Sequence, residues 1–158
     1  MAETGIKSRR IFTNTIQAVV DGQHRVTMPK IWRLPTDTAE TVFYLLPGCD
    51  HRIMVLTEEK MNAVFDNLDE VSFASGEDIA GMEDIASRTQ PVTLDKQGRF
   101  AIDKELLDFA GITDKAVFRG ALAYGTITSP QYACVGEKSS PKDSSFSLFV
   151  ALSKNVSK

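Results

Sequence analysis

The sequence has little cysteine and no long apolar run, and these shortages exclude whole classes of protein. Its 158 residues include two cysteines, Cys49 and Cys134, which make neither a disulfide framework nor a metal-binding spacing. Because no run of about 18 apolar residues occurs, we expect no transmembrane helix and no membrane partner. Residues 1–10 contain bases but no following apolar stretch, which is not the pattern of a secretory signal. We therefore expect a cytoplasmic protein with reduced thiols.

Motifs that carry enzyme chemistry are also missing. The sequence has no glycine-rich phosphate loop, no HExxH and no CxxC, and neither His24 nor His51 lies in a recognisable nucleophile motif. The acids of residues 57–88 fall in segments with helical periodicity, so they indicate solvated faces rather than a glycosidase pair. We expect no enzyme activity, no metal, no cofactor and no small-molecule substrate.

Positive charge is scarce overall but concentrated in one part of the chain. The formal net charge is −3 at pH 7. Residues 1–33 nevertheless carry six bases against two acids, whereas residues 57–88 carry two bases against nine acids. A local basic patch, rather than the total charge, attracts a polyanion. The asymmetry fits either a nucleic-acid surface or ordinary solvated side chains.

A short pattern that occurs twice is the most informative feature of the chain. Residues 18–30 read AVVDGQHRVTMPK, and residues 92–104 read VTLDKQGRFAIDK. Each copy has an apolar run, then Asp-x-Gln-x-Arg, then an apolar residue three positions after the Arg and a Lys two positions further on. A repeat in so short a chain indicates two copies of one structural unit.

The pattern predicts a strand, a tight turn and a returning strand in each copy. We expect turns at Asp21-Gly22 and at Asp95–Gly98. The predicted strands cover residues 11–20, 26–28, 41–46, 52–56, 90–94, 100–102, 115–119 and 123–128. Two helices are predicted within 57–88, and a short one begins after Asp103, which can cap it. Met61, Val64, Phe65 and Leu68 share one helical face, which predicts a core contact.

The Asp and Arg of each copy admit two interpretations. The Asp can accept turn N–H groups and pair with the Arg, which only stabilises the turn. Alternatively, the Asp orients the loop while the Arg projects towards a partner, because its planar fork fits phosphate or the O6/N7 edge of guanine. On the second interpretation the candidate DNA-binding residues are Arg25, Arg99, Lys7, Arg9, Arg10, Lys30 and Lys104, and the loop-orienting residues are Asp21, Asp95, Gly22 and Gly98.

These motifs resemble the MraZ family, whose domains belong to the AbrB/SpoVT-like swapped-hairpin barrels. The likeness lies in Asp21-x-x-x-Arg25-x-x-Met28-Pro29 and in Leu94-Asp95-Lys96-Gln97-Gly98-Arg99-x-x-Ile102. Phe12, the helix after Thr57 and Phe109-Ala110-Gly111 fit as well, so the resemblance covers roughly residues 11–125.

The resemblance implies an α+β, mainly β fold in which two tandem AbrB-like half-barrel units form one pseudo-two-fold barrel with a helical insert. We expect a flexible basic arm at 1–10, a first unit at 11–56, an acidic helical insert at 57–88, a second unit at 89–128 and a Ser-rich tail at 129–158. The implied function is that of a sequence-specific, nucleoid-associated transcriptional regulator. It would bind direct repeats of double-stranded DNA upstream of division and cell-wall genes as a ring-shaped homo-oligomer.

Two other functions stay open at this point. The chain departs from the family pattern at His24, at Asp103 and at residues 126–128. A structural oligomer without operator binding is therefore an alternative. So is an antitoxin-like protein-interaction module that would use the apolar segment Phe146 to Leu152 of the tail.

Overall fold

A computed structural model of the chain describes residues 9–67 and 75–133. Lys7, Leu68 and the tail beyond residue 133, with its apolar segment, lie outside the described residues. The elements in chain order are β1 (Thr15–Val19), β2 (Arg25–Thr27), β3 (Val42–Pro47), β4 (Ile53–Thr57), α1 (Glu58–Asn67), α2 (Gly76–Arg88), β5 (Gln90–Thr93), β6 (Arg99–Ala101), α3 (Lys104–Ala110), β7 (Lys115–Gly120) and β8 (Gly125–Thr128).

The predicted α+β, mainly β class is confirmed. Six strands form one antiparallel sheet in the order β1-β7-β8-β4-β3-β5, and β2 pairs with β6 in a separate two-stranded ribbon. None of the helices in the described part of the chain is long and apolar enough to cross a membrane.

The strand pairing has an internal two-fold symmetry. The ribbon is centred on the pair Val26–Phe100, and the middle of the sheet on the pair Met54–Thr126. On either side of these centres equivalent strands pair in the same way. The pairing of β1 with β7 in one half matches the pairing of β5 with β3 in the other. The first strand of each sequence repeat therefore completes the sheet of the other repeat, and the two repeats fold together.

The core lies between the ribbon and the sheet. The inward residues of the ribbon, Val26 and Phe100, join a cluster that includes Trp32, Phe118 and the completely buried Phe12. Trp32 packs edge-on against Phe12 and Phe118, with ring centroids 5.0 Å and 5.4 Å apart. Because alternate strand residues face opposite sides, burying Val26 and Phe100 directs their neighbours in the ribbon to the opposite face.

Side chains cap α1 and α2 but not α3. Thr57 and Ser75 accept hydrogen bonds from N–H groups of the first turns of α1 and α2, at 3.1 Å and 3.2 Å. Asp103 was expected to cap α3, and that expectation is wrong: its side chain makes no capping hydrogen bond. Its backbone N–H donates instead to the Gln90 side chain at 2.9 Å.

The predicted core stripe of the first helix is also largely wrong. Met61 is 7% exposed, but Val64 and Phe65 are 42% and 53% exposed. In α2 no side chain is buried. Both helices therefore leave apolar side chains exposed in the described part of the chain.

The arm and tail boundaries also differ from expectation. Arg10, assigned to a flexible arm, makes a two-pronged ion pair with Asp37 at 2.6 Å and 2.8 Å and lies over the Phe43 ring. At the other end Ser129 and Ala133 are each 2% exposed. A 3-10 turn at Pro130–Tyr132 stacks Tyr132 on His51, with ring centroids 4.3 Å apart. The folded body therefore includes Arg10 and continues to residue 133.

Replacing Arg10 with Gln should destabilise the chain. Its side chain is 11% exposed and that of Asp37 is 12% exposed, so the change leaves a largely buried carboxylate without its charged partner. We expect the free energy of unfolding to fall by about 1–3 kcal/mol in urea titrations. Arg9→Gln, at an exposed position, is the control and should change it little. Equal stability of the two variants would contradict a structural role for Arg10.

Candidate nucleic-acid interface

The first repeat folds its motif into a closed loop between β1 and β2. Asp21 Oδ1 accepts hydrogen bonds from the backbone N–H groups of Gln23 and Arg25, at 2.8 Å and 2.9 Å. Asp21 Oδ2 accepts from Arg25 Nε at 2.8 Å. Backbone hydrogen bonds between Asp21 and Arg25 and between His24 and Asp21 close the loop, each at 3.0 Å. One carboxylate thus holds both the backbone of the turn and the arginine side chain.

The second repeat builds the same loop between β5 and β6. Asp95 Oδ1 accepts from the N–H groups of Gln97 and Arg99, at 2.8 Å and 2.9 Å, and Oδ2 accepts from Arg99 Nε at 2.9 Å. Hydrogen bonds between Asp95 and Arg99 and between Gly98 and Asp95 again close the turn, each at 2.9 Å. Asp21 and Asp95 therefore make the same set of hydrogen bonds at equivalent positions in their loops.

The pKa of each loop aspartate lies below its ordinary value. For Asp21 the largest cause of the lowered pKa is the hydrogen bond from the Arg25 backbone N–H, and bonds from Gln23 and the Arg25 side chain add to it. For Asp95 the Arg99 backbone N–H again lowers the pKa most. Desolvation opposes both shifts without reversing them. Both carboxylates are thus held in the charged form that pairs with arginine.

Each loop needs one residue in the left-handed region of backbone space. Gly98 has φ +79° and His24, the equivalent residue of the first loop, has φ +63°. Gly22 does not have a positive φ, so His24 supplies the left-handed residue of the first loop. Gly98 meets the requirement without strain, whereas His24 meets it as one of the more tolerant non-glycine residues.

The ribbon brings the two arginines to one face. Arg25 lies opposite Ala101 and Thr27 lies opposite Arg99 in the β2–β6 register. Arg25 and Arg99 are therefore diagonal neighbours, a relation that typically separates two residues by about 7–8 Å. They share the face opposite the buried Val26 and Phe100, and their side chains are 32% and 33% exposed.

The terminal nitrogens of both arginines are available to a partner. In each residue the Nε atom is occupied by the loop aspartate. Among the described residues the Nη atoms of Arg25 make no hydrogen bond, and those of Arg99 make one long contact of 3.4 Å to Gln97. Each guanidinium is thus anchored at one end and open at the other.

The other basic residues proposed from the sequence fall into different environments. Lys30 and Lys104 occupy equivalent, exposed positions after β2 and β6, and Lys104 pairs with Asp108 at 3.0 Å. Arg9 is exposed. Arg10 was a candidate DNA-binding residue, but its side chain is 11% exposed and paired with Asp37, so it does not lie on this surface. A further base, Arg33, was not predicted from the sequence. Its guanidinium lies against Gly98 of the second loop. Arg33 follows the end of the first repeat copy, so the motif gives no signal for it.

No protein-family model matches the chain, and no curated protein matches it either.

Loss of the loop aspartate charges should change how stability depends on pH. Because the pKa of Asp21 and of Asp95 is lower in the folded chain than the ordinary 3.8, their contribution to stability is complete above that value. It is lost as the pH falls through the lowered folded values. Urea unfolding from about pH 7 to about pH 3 should therefore show a smaller acid loss in Asp21→Asn/Asp95→Asn than in the wild type.

Asp50→Asn is the control for that experiment, because Asp50 is 83% exposed and contacts only Arg52 among the described side chains. It should keep the acid loss of the wild type. Identical acid profiles for the wild type and the double variant would show that the loops do not hold these carboxylates as described.

Proposed function

We propose that the chain is a sequence-specific DNA-binding transcriptional regulator that contacts DNA through the Arg25 and Arg99 loops. The observation that carries this proposal is the presence of two matching, carboxylate-anchored arginines on one exposed ribbon face. The ribbon pairing already places both arginines on one side, so what favours a partner is that the Nη ends of both remain open.

The chemistry of the ribbon suits duplex DNA. A two-stranded β-ribbon is of a size that the major groove admits, and an arginine fork can bond the O6 and N7 atoms of guanine together. The Asp21 and Asp95 carboxylates limit the motion of the arginine side chains before binding, which lowers the entropy lost on contact. Exposed Lys30 and Lys104 flank the ribbon at equivalent positions and would contact phosphates.

The symmetry of the strand pairing supports a more specific fold proposal. The first strand of each repeat pairs with a strand of the other repeat, β1 with β7 and β5 with β3. The β2–β6 ribbon covers the core at the two-fold axis. We infer two AbrB-like swapped-hairpin units that close into one pseudo-two-fold barrel, with α1 and α2 as the helical insert. The resemblance to the MraZ family rests on the same motifs.

The proposed cellular role follows from that resemblance. The chain would assemble as a ring-shaped homo-oligomer on direct repeats upstream of division and cell-wall genes, in a cytoplasmic, nucleoid-associated setting. Repeated modest contacts suit a subunit with a net charge of −3, because linked sites gain affinity through effective concentration. Assembly is also favoured by apolar side chains that stay exposed on α1 and α2. They are Val64, Phe65, Ile79, Met82 and Ile85.

That exposed apolar patch also supports a second candidate function. An oligomeric structural protein, or an antitoxin-like protein-interaction module, would use the patch and bind no operator. Under this alternative the aspartate–arginine pairs serve only the turns.

Removing either loop arginine should weaken discrimination between DNA sequences. Fluorescence anisotropy would compare a duplex from upstream of the protein's own gene with a scrambled duplex, over a range of salt concentrations. Arg25→Ala and Arg99→Ala should each lose about 1–3 kcal/mol of preference for the native duplex, since each removes one bidentate base contact. The affinity of the wild type should fall steeply with salt.

Arg52→Ala is the matched control, because Arg52 also pairs with an aspartate but lies at the β3–β4 turn. It should keep the preference of the wild type. If both loop variants also keep it, the arginines do not read bases. Equal and weak binding of the wild type to both duplexes would favour the protein-interaction alternative.

A charge placed on the apolar patch should dissociate the proposed oligomer. Phe65→Glu and Ile85→Glu each put a carboxylate on a side chain that we expect a second copy to cover. Size-exclusion chromatography with light scattering should show a lower mass for these variants than for the wild type. Val19→Glu, at a 72% exposed apolar position outside the helices, is the control. An unchanged mass in both helix variants would exclude the patch as the subunit contact.

A further inference from the structure

A cleft of about 690 Å³ lies beside the second arginine loop. One wall is formed by the segment around the 3-10 turn Lys30–Trp32 and the residues that follow it, and the other by the loop that begins at Leu94. Its charged lining residues are Lys30, Arg33, Lys96, Asp37 and Asp95. The volume is within the range of cavities that hold small ligands.

The acids of the cleft are already neutralised. Asp37 is held by Arg10 and accepts the Leu34 N–H at 2.9 Å, while Asp95 is held by Arg99. The three bases, by contrast, have no carboxylate within ion-pair distance among the described residues. Arg33 adds to the electrostatic stabilisation of the Asp37 carboxylate without forming an ion pair with it. The cleft therefore presents an excess of positive charge, with three bases and two acids in its lining.

The Arg33 side chain has an unused donor in this cleft. Its Nε atom is buried and has no hydrogen-bond partner among the described residues. Its guanidinium lies so close to Gly98 that a Cβ there would overlap it. A buried donor without a partner costs free energy, so the internal contacts of the fold do not by themselves account for the position of this side chain.

The cleft is not a product of the sequence repeat. At the 74-residue spacing of the repeat, Leu107 takes the place of Arg33, and Gly22 takes the place of Lys96. Only Lys30 has a basic counterpart, Lys104. The cluster thus occurs once per chain, at the loop that carries Arg99.

We propose that this cleft binds a phosphate-type oxyanion, with Arg33 as the main donor and with Lys30 and Lys96 as flanking charges. Arginine and lysine are the side chains that bind such groups most strongly. The oxyanion belongs either to the DNA backbone or to a free phosphorylated small molecule. Because Asp95, Lys96 and Gly98 form one wall, an occupant would also fix the loop that holds Arg99.

The test is calorimetric titration of the full chain with inorganic pyrophosphate in the absence of DNA, so it does not depend on the proposed function. The wild type should bind, and Arg33→Gln and Lys96→Gln should each weaken the affinity by about tenfold or more, equivalent to about 1.4 kcal/mol. Lys96 is exposed, so its variant tests the site even if Arg33→Gln fails to fold. Lys115→Gln, at an exposed position at the start of β7 and outside the cleft, should bind as the wild type does.

No binding by the wild type, or equal affinity in the wild type and Lys96→Gln, would overturn the proposal. A competition arm then separates the two sources of the oxyanion. If pyrophosphate displaces the upstream duplex in anisotropy, the cleft holds a backbone phosphate. If pyrophosphate binds without displacing the duplex, the occupant is a free small molecule.

Discussion

The carboxylate of each repeated aspartate is the group on which the proposed binding surface depends. Asp21 and Asp95 each accept two backbone N–H groups of their own turn and the Nε of the following arginine. A single side chain therefore sets the shape of the loop and the direction of the guanidinium together. The carboxylate is charged at neutral pH, and the lowered pKa of each aspartate extends the charged form into more acidic solution.

The two-fold strand pairing converts two local loops into one surface. Because β2 and β6 pair about Val26 and Phe100, the inward residues bury in the core while both arginines stay on the outer face. Neither repeat could do this alone, since each requires the first strand of the other to complete its part of the sheet. The duplicated motif is thus explained by the geometry of a shared ribbon.

Local features were predictable from the sequence, and features set by distant packing were not. The turns at Asp21 and Asp95, the α+β class and the helix after Thr57 follow from residues close together in the chain. The pairing of Arg10 with Asp37 joins residues 27 positions apart, and no local pattern marks it. The exposure of Phe65 depends on how much sheet α1 can cover, which periodicity does not reveal. The cleft around Arg33 likewise appears only when the two repeats are folded together.

The most direct test of the account is nuclear magnetic resonance of the arginine Nε–Hε groups during titration with the upstream duplex. The Arg25 and Arg99 signals should be protected from exchange before DNA is added, since each Nε donates to an aspartate. Both signals should then shift together as duplex binds, while that of Arg52 stays in place. Shifts elsewhere in the chain, with the signals of both loop arginines unchanged, would contradict the claim that this ribbon face contacts DNA.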